Sequence, residues 1–149
     1  MKISSFINQG LLTRSLVLSS VLFAGCTSQP PVSGPKEASS LFVTKVKPVL
    51  QYYCIQCHTD QAAPQYGGFS METGKSALTT GRHSPVIRPG KPDESLFFKV
   101  LRLGHEDVLG MPPAPDKVTN EELESVRQWI LSGAEWPAGP AGHLQLPKS

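Results

Sequence analysis

Apolar residues fall along the chain in one uncharged, mainly apolar block followed by several periodic ones. The uncharged block runs from Ser15 to Gly25 and lies between Arg14 and Cys26. It is well short of the roughly 20 residues a membrane span needs. The first periodic block is Leu41 to Tyr53, where Phe42, Val46, Val49, Leu50 and Tyr53 recur at helical steps. Pro48 sits inside it, so the pattern predicts either a kinked helix or one that starts near that proline. A shorter helix is expected at Glu72 to Thr79, closed by Gly81. Pro92-Asp93-Glu94-Ser95 then opens a run carrying Leu96, Phe97, Val100, Leu101 and Leu103, with Gly104 at its end. The acidic first turn and Arg102 in the last suit the helix dipole. The clearest start is Thr119-Asn120-Glu121-Glu122, a capping box ahead of Leu123, Val126 and Ile130, with Trp129 beside that face and Gly133 as the stop. No segment alternates with period two. The expected fold is all-α, three to five helices in one small domain.

Composition narrows this picture. At 149 residues one domain is the natural reading. The 14 Pro and 13 Gly imply long loops between short helices. Aromatic residues make up only 7% of the chain, so its own side chains supply a thin core unless a large apolar cofactor fills the middle. The net charge is +2, and Lys2 and Arg14 account for it. Without that pair the charges balance, which argues against a nucleic-acid partner.

The chemistry is concentrated in Cys54-Ile55-Gln56-Cys57-His58, the Cys-x-x-Cys-His pattern of covalent haem attachment. Two thiols three residues apart on a helical turn reach two vinyl groups of one porphyrin, and the adjacent imidazole stands under the iron. Two other uses of a Cys-x-x-Cys pair compete. A redox disulfide usually comes with a βαβ pattern, which this chain lacks. A zinc site needs four ligands, and no second pair follows. Met111-Pro112-Pro113, in the loop before the last helix, is the best source of a second axial ligand, because adjacent prolines restrict the loop that carries the thioether. A loop methionine otherwise usually fills a gap in a core. Met71, His83, His105 and His143 are its rivals, His105 the most serious. With His and Met on the iron no coordination site stays open, which suits one-electron transfer better than oxygen or peroxide chemistry. Arg82 and Arg88 are candidate partners for the haem propionates, though both also read as surface charges.

The N-terminus reads as an export signal over residues 1–25. Leu22-Phe23-Ala24-Gly25-Cys26 resembles a bacterial lipobox, in which Cys26 becomes the lipid-modified first residue; that also accounts for the odd number of cysteines. Ordinary cleavage with a free Cys26 is the alternative. Residues 26–39 are rich in Pro, Ser and Gly and read as a tether on the order of 20 Å long. The folded domain is expected over 40–137, with a loose Gly- and Pro-rich tail over 138–149. Such a chain would sit on the periplasmic side, lipid-anchored to a bacterial membrane.

From Leu41 to Pro137 the sequence resembles small class I cytochrome c domains of the planctomycete type. The resemblance rests on Phe42 to Leu50 leading into the haem motif, and on Gly67-Gly68-Phe69-Ser70-Met71-Glu72-Thr73. Pro89-Gly90-Lys91-Pro92 with Ser95-Leu96, Met111-Pro112-Pro113, and Trp129-Ile130 with Gly133 to Pro137 complete it. It implies an all-α fold around one covalent haem c, with Cys54 and Cys57 as attachment points and His58 and Met111 as axial ligands. It also implies a proline carbonyl supporting the proximal histidine, a role that by position falls to Pro85. The function implied is single-electron transfer between redox proteins, with no small-molecule substrate. A haem peroxidase, or a ligand sensor with a labile or absent methionine ligand, is the alternative class.

Overall fold

The computed structural model describes residues 35–113 and 115–146. The expected signal, Cys26 and the first part of the tether lie outside the described residues, as do the last three residues of the tail. The described residues are helical and contain no strand, as the period of the apolar positions required.

The first element is a rod of three joined pieces: α1 (Pro35–Leu41), a π-helical turn (Phe42–Val46) and α2 (Lys47–Tyr53). Pro48 explains the join. In a regular helix its ring would press on the carbonyl four residues back and leave an acceptor without a donor. The wider turn absorbs this: the Lys47 N–H donates to Phe42 O, five residues back. The Thr44 hydroxyl donates to Ser40 O at 2.8 Å and satisfies a further acceptor of this stretch. Helical structure therefore continues through Pro48. It also begins earlier than expected, because residues 35–39 of the anticipated tether form part of α1.

Three shorter helices follow. α3 (Gly74–Thr79) starts at Thr73, whose side chain and that of Ser76 cap each other's backbone. Gly74 lies under Trp136; an added Cβ would come within 2.6 Å of its Cγ. α4 (Leu96–Leu101) follows a 3-10 turn at Pro92–Glu94. Ser95 is fully buried between them; its hydroxyl accepts from Arg88 N–H at 2.8 Å and donates to Lys91 O at 2.9 Å. α5 (Asn120–Leu131) starts at the expected capping box of Thr119 and Glu122 and ends before Gly133, at φ +108°. Trp129 belongs to the buried face of α5 rather than to its edge.

α5 packs against α1, the π turn and α4. Phe42, Trp129 and Trp136 meet there, with ring centroids 4.6 to 5.7 Å apart. Both indole N–H groups find backbone acceptors, Trp129 on Glu135 O and Trp136 on Gly142 O, as buried indoles require.

The tail departs from expectation. Residues 139–146 form a strap across the domain instead of fraying. Leu144 is 1% exposed, and its N–H donates to Glu72 O at 2.9 Å. Lys47 donates to the carbonyls of Pro140 and Ala141, and Gln51 to that of Gln145. Prolines and glycines shape this segment, but one leucine and its backbone hydrogen bonds hold it.

Candidate haem site

The last turn of α2 carries the chain directly into the cysteine motif. Cys54 N–H donates to Leu50 O at 3.0 Å, and the N–H groups of Cys57 and His58 donate to Cys54 O at 3.1 and 3.0 Å. Residues 54–58 are thereby wound into a helical turn, with Ile55 turned into the core and Gln56 exposed. Both cysteines are free thiols. Burial, with a smaller contribution from Cys57, pushes the Cys54 thiol up to about 12. It is thus a neutral thiol, unlike the acidified thiolates of redox Cys-x-x-Cys pairs. Among the described residues, no three His, Cys, Asp or Glu side chains converge as a metal-binding set.

His58 is half-buried between Tyr66 and Phe69, with ring centroids at 6.1 and 5.2 Å. Its Nδ1 lies 3.1 Å from Phe69 O. In the tautomer that donates there, Nε2 keeps its lone pair for a metal. Burial lowers the His58 pKa, only partly opposed by the Phe69 carbonyl. The neutral ring, the form that ligates iron, is therefore favoured. This corrects the role expected for Pro85. The carbonyl that orients His58 belongs to Phe69, eleven residues along, while Pro85 is exposed and off the cavity wall.

Cys54, Cys57, His58 and Met111 all open on one cavity of about 460 Å³, within the size range of cofactor pockets. Leu96, Phe97, Val100 and Leu101 from α4 and Val86 make up much of its apolar wall. Met111 is hung from this side: its N–H donates to Val100 O at 2.9 Å. Lys117 Nζ donates to Pro112 O at 2.7 Å and ties down the following residue. Met71 also lines the cavity and is fully buried, but its N–H donates to His58 O at 2.8 Å, which places it at the histidine's end. His83 and Arg82 reach the wall; His105, His143 and Arg88 do not. The donor set and the cavity fit a c-type haem: two thiols for the vinyl groups, an oriented imidazole, a thioether from another element and apolar walls for the macrocycle.

Some of this was not legible in the sequence. A backbone acceptor such as Phe69 O has no side-chain signature. Gly67 and Gly81, which line the cavity at φ +72° and +101°, were visible only as turn residues.

A small helical domain that winds Cys-x-x-Cys-His into a turn facing an apolar cavity defines the class of c-type cytochromes. Comparison with known families places it further. Residues 54–115 match the family described as Planctomycete cytochrome C. That stretch is a cytochrome c domain of the planctomycete type, which makes this a haem-binding protein. No curated protein and no solved structure matches the chain.

Proposed function

We propose that this chain is a membrane-anchored monohaem c-type cytochrome carrying single electrons between redox proteins outside the cytoplasm. The observation that carries the reading is that Cys54, Cys57, His58 and Met111, drawn from two distant segments, open on one apolar cavity. When bound, a haem c supplies a one-electron iron couple. The protein's part is to hold it and set its surroundings. Cys54 and Cys57 would hold it covalently. His58, oriented by the Nδ1 hydrogen bond to Phe69 O, would ligate its iron. Met111, hung from the α4 side, would be the second protein ligand, and a His/Met pair would supply a couple of higher potential than histidine ligation alone. The apolar walls exclude water. Near the cavity, Val108 is 95% and Leu109 61% exposed. These side chains suit a redox partner that docks briefly at the cavity mouth.

The anchor belongs to the same proposal. It rests on the apolar block before Cys26 and on the lipobox pattern. Two or more acyl chains on Cys26 meet the requirement for stable attachment. Among the described residues, no helix is long and apolar enough to cross a membrane.

The test is a visible spectrum of the protein matured with covalent haem. Sharp reduced bands and the weak far-red band of a methionine–iron(III) bond are expected. Met111→Ala removes the far-red band, whereas Met71→Leu keeps it. Loss of the band in Met71→Leu instead would reassign the ligand. Absence of covalent haem would overturn the proposal. Cys26→Ser is expected to release the protein from membranes, and continued retention would contradict the anchor.

A further inference from the structure

We infer that the turn at residues 81–84 is the propionate end of the haem site, with Arg82 as ion-pair partner and His83 as a ring N–H donor to the two carboxylates. This rests on the haem reading above and adds an orientation to it. The thioether edge of the macrocycle lies at Cys54 and Cys57, and the acid edge lies at Arg82 and His83.

The first support is chemical. A haem brings two carboxylates into a cavity whose walls are almost wholly apolar, and such groups are costly there unless paired. Among the described residues, no Asp or Glu lines the cavity. Arg82 is the only permanently charged side chain among the described residues on the wall, and His83 is its neighbour. The Tyr53 hydroxyl is committed elsewhere, 3.3 Å from both Lys117 O and the Glu122 carboxylate, and that carboxylate would repel a propionate.

The second support is availability. The ion pairs among the described residues use Lys45, Lys91, Arg102 and Arg127. Arg82 makes none among the described residues. The other cations nearby are excluded by position: Arg88 does not reach the wall, and Lys117 is off it and bound to Pro112 O.

The third support is the backbone. Arg82 N–H donates to Gly67 O at 2.9 Å, and Ser84 N–H to Gly81 O at 3.1 Å. Gly81 stands at φ +101°, where an added Cβ would meet Val86 Cγ2 at 2.8 Å. The turn is therefore held by its main chain, which leaves both side chains free to meet a ligand. A planar fork of donors is well matched to a carboxylate.

The experiment uses the haem-loaded full chain and reads reduction potential and the propionate bending band in resonance Raman spectra. Arg82→Gln leaves a carboxylate uncompensated, which favours the more positive oxidised iron, so the potential shifts downward and the band moves. Arg82→Lys restores part of the shift, and His83→Leu gives a smaller shift of the same sign. Arg88→Gln leaves both readouts where they were. All these positions are exposed, so the variants fold. Haem with an intact far-red band and no change in Arg82→Gln would overturn the assignment alone. An equal shift in Arg88→Gln would also overturn it, because surface charge would then account for the effect. Failure of the wild type to carry haem would overturn the haem reading and this assignment together.

Discussion

Phe69 contributes to the site through its backbone, and that shows what a single residue can and cannot reveal. Cys54, Cys57 and His58 could be singled out as candidates because their chemistry is in their side chains and their spacing is local. Met111, which the structure places on the same cavity, was singled out through its two prolines. The orientation of His58 was not legible, because any residue can offer a carbonyl, and only the path of residues 58–71 brings Phe69 O to Nδ1. The same holds for Gly74, which sits under an indole that arrives from far along the chain. Gly74→Ala places a methyl 2.6 Å from Trp136 Cγ. Overpacking of this kind is expected to cost about 1–3 kcal/mol. Thermal unfolding of the haem-loaded variant checks it, and an unchanged midpoint would show that the indole moves aside freely.

At the level of elements, the apolar period located α2, α4 and α5 but not α1, and the capping box placed the start of α5 at the right residue. The π turn was not foreseen. A proline inside a helical pattern announces a disturbance but not its form, and here it became a widened turn before Pro48 that keeps Phe42 and Val46 buried on one side and Val49 and Leu50 on the same core. The cap of α5 is a separable contribution. Thr119 accepts from Glu122 N–H, while Glu122 accepts from Thr119 N–H at 2.8 Å. Thr119→Ala is expected to lose about 1 kcal/mol of stability, and Thr119→Ser to retain most of it. Urea unfolding of both variants decides this. Equal losses in the two would mean that the threonine methyl, not the hydroxyl, is what counts.

For the molecule as a whole, the scarcity of aromatic residues fits a domain that keeps an apolar cavity of about 460 Å³ beside its own packed core. The tail was misjudged because composition reports how a segment bends, not whether one buried residue pins it. Leu144→Ala removes that pin and is expected to cost about 2–5 kcal/mol, with hydrogen exchange rising first at the Leu144 and Trp136 N–H groups. Unaltered protection there would mean that the lysine and glutamine contacts hold the strap alone. The strap has another consequence. It passes Lys47 and then Gln51, so its end at Gln145 lies alongside the last turn of α2, within about one helical turn of Cys54. A dye coupled at Gln145 would sit beside the turn that carries both cysteines. Its emission would be dimmed by energy transfer in every molecule that had received its haem, so the strap is a natural place from which to watch maturation by light.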